Sequence, residues 1–265
     1  MKNRTFISAA IAAIMLTSCA CGPTSPLQNG EEGIHKPKEL GVKIKQVLPH
    51  SRQTYTQGLE FHDGMLLESS GEYGVSFMER RTFPEQKVVK RVDIPEEFFA
   101  EGITVLGDTL YMLTWRERAV LLFDPVTFKQ IGRHKIYTEG WGITNDGERL
   151  YISDGSQYIY EVDPLTFNRK RRIAVSTPTG AVFNINELEW IEGKIWANVY
   201  GYNNILIINP STGEVEAVVK CDDLLDKKDI TATTDVMNGI AYDPVHKKIY
   251  VTGKNWPKMF EIEVN

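Results

Sequence analysis

The chain has 265 residues, 42% of them hydrophobic, and a net charge of −5 at neutral pH. This length and composition suit a single globular domain with a buried core. The acidic charge argues against a nucleic-acid-binding surface, since such a surface needs a basic face. Only three cysteines and five scattered histidines are present, so we expect neither a disulfide framework nor a metal site.

The N-terminal residues carry the features of an export signal. Lys2 and Arg4 precede an apolar stretch, 7–16, that is too short to span a bilayer. The next residues, Leu16-Thr-Ser-Cys19, resemble the bacterial lipobox, in which cleavage exposes the cysteine for acylation. We therefore expect residues 1–18 to be a lipoprotein signal peptide and Cys19 to be lipidated. An ordinary signal peptide that ends near a cysteine is the alternative.

The residues after the lipobox predict a tethered protein. Residues 19–41 are rich in glycine, proline and charge, which is typical of a flexible tether. No later segment is apolar enough to span a membrane, so the part from residue 42 onward would contact the membrane only through its lipid. This predicts a bacterial envelope lipoprotein, either periplasmic or anchored to the outer membrane.

Five similar repeats fill the chain from residue 42 onward. Short apolar runs alternate with Gly, Asp, Asn and Pro, which predicts an all-β chain. Each repeat opens alike and passes through a polar turn into a second apolar strand. The openings are Gln57-Gly-Leu-Glu-Phe, Glu101-Gly-Ile-Thr-Val, Trp141-Gly-Ile-Thr-Asn, Asn186-Glu-Leu-Glu-Trp and Asn238-Gly-Ile-Ala-Tyr. They are spaced by 44, 40, 45 and 52 residues.

A period of roughly 40–45 residues with four strands is that of a β-propeller blade. We therefore predict an all-β, five-bladed β-propeller over residues 42–265. A β-sandwich would not explain five similar openings. The last repeat supplies only three strands, and 42–48 can supply the fourth. That N-terminal strand would close the ring and remove an exposed edge.

The propeller geometry predicts which side chains meet at the central mouth. The innermost strand of each blade lines the axis and its neighbour runs antiparallel, so the start of the first and the end of the second share one rim. The first set is Gln57, Glu101, Trp141, Asn186 and Asn238, and the second is Ser70, Trp115, Asp154, Tyr200 and Lys254. Aromatic walls with carboxylates, amides and an amine are typical of a small-molecule site. A polar, water-filled mouth without chemistry is the alternative.

Glu101 is the candidate proton carrier of this mouth. It follows Phe98-Phe-Ala100 and would lie among Trp115, Trp141 and Tyr200. Loss of hydration against aromatic walls raises the pKa of a carboxyl group towards the range useful for proton transfer. Lys254 would lower that pKa, so the two effects oppose each other and their balance stays open here.

Eight short motifs resemble the plant-type glutaminyl-peptide cyclotransferases, and they span essentially all of 42–265. They are Tyr55-Thr-Gln-Gly-Leu, Phe99-Ala-Glu-Gly-Ile-Thr, Leu113-Thr-Trp, Glu139-Gly-Trp-Gly, Ile185-Asn-Glu-Leu-Glu, Trp196-Ala-Asn-Val-Tyr, Asn238-Gly-Ile-Ala-Tyr and Val251-Thr-Gly-Lys. The resemblance implies a metal-independent five-bladed propeller without a cofactor. It also implies an enzyme that converts the N-terminal glutamine of peptides or proteins into pyroglutamate and releases ammonia.

The resemblance also implies roles for individual residues. Glu101 matches the general base that then acts as general acid. Gln57, Asn186 and Lys254 match polar positions that hold the substrate amide and its developing oxyanion, while Phe99, Trp115 and Trp141 match the apolar walls. Tyr200 and Asn238 complete the substrate-binding set that we expect at the rim.

Two residues depart from the family pattern. Tyr200 stands where tryptophan is expected and Tyr55 where phenylalanine is usual, and each adds a hydroxyl that needs a partner. These departures bear on substrate preference or rate more than on cyclisation itself. No interface signature is visible, so we expect a monomer.

Two other functional classes stay open at this point. A non-catalytic envelope propeller could bind a peptide, glycan or protein partner at the same mouth, and it would not single out Glu101. A propeller enzyme acting on sugars or lactones usually needs a metal or a histidine in the mouth, and neither is expected here.

Overall fold

The computed structural model describes residues 36–265. The predicted signal peptide, the lipidation site Cys19 and most of the predicted tether lie outside the described residues. The described range begins with two strands, β1 (Lys38–Leu40) and β2 (Val42–Pro49). No helix of this range is long and apolar enough to cross a membrane.

The repeats and β2 form five antiparallel blades of four strands each, one of which a further strand extends, so the five-bladed propeller is confirmed. The first blade contains β3 (Thr56–His62), β4 (Met65–Ser70), β5 (Phe77–Arg81) and β6 (Val88–Asp93). The second blade contains β7 (Ala100–Leu106), β8 (Thr109–Thr114), β9 (Ala119–Phe123) and β10 (Gln130–Lys135). The third blade contains β11 (Ile143–Asn145), β12 (Leu150–Ser153), β13 (Tyr158–Val162) and β14 (Arg169–Ala174).

A short hairpin and a 3-10 helix flank the fourth blade. The hairpin consists of β15 (Ser176–Thr177) and β16 (Gly180–Ala181), and the helix spans Lys227–Asp229. The fourth blade contains β17 (Ile185–Ile191), β18 (Lys194–Val199), β19 (Asn204–Ile208) and β20 (Val215–Lys220); the fifth contains β21 (Met237–Asp243), β22 (Lys248–Gly253) and β23 (Lys258–Val264).

The ring closes as predicted, through a strand from the N-terminal part of the domain. Strand β2 pairs antiparallel with β23, from Val42 opposite Val264 to Pro49 opposite Lys258. The fifth sheet therefore has the order β2-β23-β22-β21. This pairing joins segments more than 200 residues apart in sequence and covers the free edge of β23 with a hydrogen-bonded neighbour.

The predicted boundary of the tether at residue 41 was wrong at its C-terminal end. Lys38–Leu40 forms β1, which pairs in parallel with β20 and adds a fifth strand to the fourth blade. Three residues are too few to show the alternation that identifies a strand. The unpaired edge of β20, which only the tertiary fold creates, supplies the hydrogen-bonding partner.

Burial differs between strands according to their position in a blade. The second strands β4, β8 and β18 are buried from their second residue to their last. Both faces of these strands are buried because each blade packs between two others. The outermost strands, such as β14 with its run of basic residues, are largely exposed. Charged side chains on an exposed edge discourage pairing with another chain.

The inner strands approach one another backbone to backbone near the axis. A Cβ atom added to Gly58 would lie 2.5 Å from the backbone nitrogen of Ile103, and one added to Gly102 would lie 2.8 Å from that of Ile143. Gly142 is packed equally tightly against the backbone of Asn186. Only glycine fits at these positions. Each of these glycines directly follows a residue of the predicted rim.

His50 connects the fifth blade to the first, just after β2. Its Nδ1 lies 2.7 Å from the carbonyl oxygen of Trp256 and its Nε2 lies 2.7 Å from Glu68 Oε1. Both neighbours are acceptors, so both ring nitrogens donate and the imidazole is cationic. Burial lowers the pKa of His50, but attraction and hydrogen bonding to Glu68 outweigh it and raise the pKa above 6.5. Burial likewise opposes ionisation of Glu68, yet His50 and Arg81 hold its pKa below 4.5.

We expect the substitution His50→Ala to lower the free energy of unfolding by about 3–5 kcal/mol, since it leaves Glu68 buried without its partner. Stability from His50 is fully present below pH 6.5 and is lost as the pH rises through the higher folded pKa. Stability from Glu68 is present above pH 4.5 and is lost as the pH falls through the lower folded pKa. The decrease in the free energy of unfolding caused by His50→Ala should therefore be greatest between pH 4.5 and pH 6.5.

Urea denaturation at a series of pH values measures this loss. The control is His246→Ala, because His246 pairs with Asp243 on the exposed surface, and it should change stability by no more than about 0.5 kcal/mol. A loss in His50→Ala that is as large at pH 9 as at pH 5.5 would contradict the buried cationic pair.

Candidate functional site

A cavity of about 210 Å³ lies at the mouth of the propeller. Its lining contains eight of the nine residues predicted for the site, together with Tyr55. The lining residues are Tyr55, Gln57, Phe99, Glu101, Trp115, Trp141, Asn186, Tyr200 and Lys254. At about 30 Å³ per water molecule, the cavity has room for roughly seven waters. This volume suits a single amino-acid side chain with its amino group.

The blade register places these side chains on one rim. Ala100 in β7 pairs with Thr114 at the end of β8, and the backbone N–H of Trp115 donates to the carbonyl of Phe99 at 3.2 Å. The rim residues of the inner strands are also fixed between blades. Ser69 Oγ donates to the Glu101 carbonyl at 2.7 Å, and Ser153 Oγ donates to the Asn186 carbonyl at 2.6 Å.

The surroundings of the Glu101 carboxyl group disfavour its ionisation. Its side chain is 5% exposed, and burial raises its pKa well above 4.5. Lys254 lowers this pKa, while the carboxylates of Glu117 and Glu139 raise it further. Desolvation is the largest of these effects, so the balance that the sequence left open favours a raised pKa.

The ammonium group of Lys254 lies between aromatic rings. Its Nζ is 4.6 Å from the ring centre of Tyr55 and 5.4 Å from that of Tyr200. These distances are those of cation–π contacts. Burial lowers the pKa of Lys254, against the attraction of Glu101 and Asp235. Lys254 therefore gives up its proton more readily than an exposed lysine.

Four polar side chains in the cavity have no partner within residues 36–265. Gln57, Glu101, Asn186 and Lys254 are all buried, with exposures of 2–5%, yet none of their side chains makes a hydrogen bond in that range. The Oε1 atom of Gln57 is completely buried and unpaired. Buried polar groups almost always have partners, because each unmet group costs about 1–3 kcal/mol. One fully buried, unpaired oxygen and three further side chains without a hydrogen bond, all around one cavity, form a site that a polar ligand would complete.

Two pairs of aromatic rings form the apolar walls. The rings of Phe99 and Trp115 meet edge to face at 5.4 Å, and those of Trp141 and Tyr200 do so at 6.0 Å. Tyr200 is 40% exposed, so this wall continues from the cavity to the outer surface. The cavity is thus closed to water on its sides and open at the rim.

The hydroxyl group of Tyr55 finds its partner in Asp235. It donates to Asp235 Oδ2 at 2.7 Å, and burial and this bond raise the pKa of Tyr55 far above its ordinary value. Tyrosine is therefore accommodated where the related family usually has phenylalanine. Asp235 lies in the long connection between β20 and β21, and no pattern in the sequence indicates its role.

Asn238 does not line the cavity, so the structure does not bring it together with the other residues predicted to bind the substrate. It is completely buried, and its Nδ2 donates to the carbonyl oxygen of Thr56 at 2.9 Å. The backbone turns at Gly239, where φ is +113°, and the pairing of β21 with β22 is irregular there. The side chain consequently joins the fifth blade to the first.

Ser70 and Asp154 were also expected at the rim, and they too serve the structure instead of the cavity. Ser70 Oγ accepts the backbone N–H of Tyr55 at 2.9 Å. Asp154 accepts hydrogen bonds from Ser156 and Tyr160 within its own blade. Within residues 36–265, no group of three or more His, Cys, Asp or Glu side chains could hold a metal ion.

Comparison with known proteins relates the whole described domain to one family. The profile of the glutamine cyclotransferase family matches residues 10–264. The glutaminyl-peptide cyclotransferase of Arabidopsis thaliana is 31% identical over 231 residues, which cover 84% of this chain and 71% of that protein. The crystal structure of the Myxococcus xanthus glutaminyl cyclase superposes with a TM-score of 0.81 at 30% identity, covering 87% of this chain and 99% of that one.

Proposed function

Because the chain belongs to the glutamine cyclotransferase family, we propose that its mouth cavity converts the N-terminal glutamine of peptides into pyroglutamate and releases ammonia. The observation that carries this proposal is the convergence of four buried, unpartnered polar side chains on a cavity of about 210 Å³. An N-terminal glutamine offers them both an amine and a carboxamide in a group of that size.

The cavity suits the terminal residue of a peptide. The aromatic walls enclose the aliphatic part of the glutamine side chain, and the Gln57 side chain, which lines the cavity, hydrogen-bonds the substrate. The remainder of the peptide leaves through the opening beside Tyr200, which is 40% exposed. The N-terminus of a peptide or protein can therefore enter the cavity without any rearrangement of the propeller.

Glu101 transfers the proton during cyclisation. The α-amine nitrogen attacks the side-chain carboxamide carbon, and its proton passes to the Glu101 carboxylate. The tetrahedral carbon then expels the amide nitrogen, which takes a proton from the Glu101 carboxyl group and leaves as ammonia. One carboxyl group serves as base and then as acid, which is efficient only when its pKa is raised towards neutrality.

Lys254 and Asn186 stabilise the oxyanion that forms on the carboxamide oxygen. Both side chains line the cavity and are at most 4% exposed, so their charge and dipole act in a medium of low polarity. The aromatic walls also exclude water. Attack by water in place of the amine would yield glutamate, and dry walls favour the internal nucleophile.

The structure and the relatives favour this reaction over the other classes considered. A propeller that only binds a ligand has no use for a buried carboxyl group whose pKa is raised beside an unpaired amine. Sugar- and lactone-directed propellers usually place a metal or a histidine in the mouth. The residues described here that line the cavity include no histidine.

We expect the domain comprising residues 36–265 to release ammonia from peptides that begin with glutamine, and equally well when a chelator is present. A coupled ammonia assay with Gln-dipeptides and longer Gln-peptides measures this directly. The control substrates are the corresponding Asn-peptides, which would have to form a smaller, strained ring. The absence of turnover with every Gln-peptide would favour a binding-only propeller.

We expect Glu101→Gln to lower kcat by at least a hundredfold while the domain stays folded, because the amide cannot accept or return the proton. The matched control is Glu60→Gln. Glu60 is also a buried carboxyl group on an inner strand, and burial raises its pKa to about 7, but it does not line the cavity. That variant should keep kcat within about threefold. Full activity of Glu101→Gln would show that another group carries the proton.

We further propose that the enzyme acts as a monomer held in the bacterial cell envelope by a lipid on Cys19. The lipobox at 16–19 and the Gly- and Pro-rich residues that follow it support this. A tethered enzyme of this kind would meet peptides and proteins that have already been exported or taken up. Whether it is periplasmic or attached to the outer membrane depends on sorting signals that act on the lipidated N-terminus.

We expect Cys19→Ala to move the full-length protein from the membrane fraction to the soluble fraction, with ammonia release unchanged. Fractionation of cells expressing each form, with the activity measured in both fractions, tests this. Gel filtration of the released enzyme should give the mass of one chain. Continued association of Cys19→Ala with membranes would contradict the lipid anchor.

A further inference from the structure

We propose that Glu139 is a positioning residue, whose single oxygen Oε2 holds the indoles of Trp115 and Trp141 at the separation that the substrate side chain requires. The inference rests on the proposed cyclisation of N-terminal glutamine, since it concerns the two walls of the same cavity. It assigns a function to a residue that neither lines the cavity nor contacts the reacting atoms.

One carboxylate oxygen accepts both indole N–H groups. Glu139 Oε2 lies 2.8 Å from Trp115 Nε1 and 3.3 Å from Trp141 Nε1. Trp115 follows β8 in the second blade, whereas Trp141 precedes β11 in the third. Glu139 is therefore the point at which walls from two different blades are joined by hydrogen bonds.

The backbone holds Glu139 rigidly above the end of β8. The N–H of the next residue, Gly140, points at the carbonyl oxygens of Thr114 and Trp115 at 3.2 and 3.3 Å. A Cβ atom on Gly140 would lie 2.7 Å from the carbonyl oxygen of Thr114, so only glycine allows so close a contact. The carboxylate that bonds both indoles is thus carried by a loop whose position the second blade determines.

The N–H group is the only polar atom of each indole side chain. Without an acceptor, each half-buried indole would have an unmet donor, and ring rotation towards solvent would become favourable. A carboxylate is the strongest acceptor available to hold them, because a charge-assisted hydrogen bond is about twice as strong as a neutral one. Rotation of either ring would change the width of the cavity.

Glu139 also contributes negative charge near Glu101. The charged groups that act on Glu101 are Lys254, which favours its ionised form, and Glu117 and Glu139, which favour its protonated form. Glu117 is engaged differently, since it accepts from the Tyr73 hydroxyl and from the backbone N–H of Phe99. The geometric and electrostatic contributions of Glu139 can be separated, because both indole bonds use one oxygen.

The experiment compares Glu139→Ala, Glu139→Gln and a charge control with the native enzyme. The glutamine oxygen can accept both indole N–H groups, but its side chain carries no charge. The control, Glu148→Gln, removes one exposed negative charge from the turn between β11 and β12, at the far end of the third blade. Each form is assayed for ammonia release from one Gln-peptide across the pH range, so that ionisation of the substrate cancels in the comparison.

Glu139→Ala should raise KM by about tenfold or more with a smaller fall in kcat, because the walls no longer hold the side chain in place. Glu139→Gln should restore KM to within about threefold of the native value. In both variants the acid limb of kcat/KM should move to lower pH, since the lost negative charge no longer disfavours ionisation of Glu101. Glu148→Gln should leave KM and the pH profile unchanged.

Tryptophan emission spectra make the test independent of turnover. Glu139→Ala should shift the emission of Trp115 and Trp141, while Glu139→Gln should retain the native spectrum; unfolding midpoints verify that every variant is folded. A native KM in Glu139→Ala, or a KM in Glu139→Gln as high as in Glu139→Ala, would overturn the positioning role. If native enzyme turns over no Gln-peptide, the proposed reaction fails, and unchanged spectra in Glu139→Ala would then reject the positioning role as well.

Discussion

The close approach of the inner strands at the propeller axis is the constraint on which the site depends. The five blades share no continuous sheet, so neighbouring inner strands meet through their backbones, and Gly58, Gly102 and Gly142 leave the room for that contact. The residue before each glycine is thereby placed at the mouth. In the fourth blade Glu187 occupies the position of the glycine, and its carboxylate accepts the backbone N–H of Ile240 at 3.0 Å.

Two electrostatic effects oppose each other in the cavity: burial favours the neutral forms of Glu101 and Lys254, and their attraction favours the charged forms. Burial raises the pKa of Glu101 and lowers that of Lys254, so each group is driven towards its neutral form. Their mutual attraction and the aromatic rings around the ammonium group act in the other direction. A raised pKa brings the Glu101 carboxyl group nearer to the range in which it can accept and return a proton at little cost. Burial at the mouth of the propeller is the main cause of that shift.

The sequence was sufficient for the fold and for most of the cavity because both follow from the repeat. The number of blades, the closure of the ring and the residues of the shared rim can all be predicted from the spacing of the repeat openings and the alternation of strand direction. The structure differs from these expectations where local backbone geometry or a tertiary partner decides the contact. Asn238 occupies the expected register, but the turn at Gly239 directs its amide to Thr56, and Lys38–Leu40 finds a partner only once β20 has an open edge.

The sequence alone thus determined the five-bladed propeller, Glu101 as the carboxyl group of the mouth and the family to which the motifs belong. Only the tertiary structure decided the direction of the pKa shift of Glu101, because desolvation depends on how completely the neighbouring walls exclude water. The same holds for the roles of Asp235 and Glu139. Their hydrogen bonds to Tyr55 and to the two indoles join residues from different connections and blades, and no periodicity in the sequence encodes such contacts.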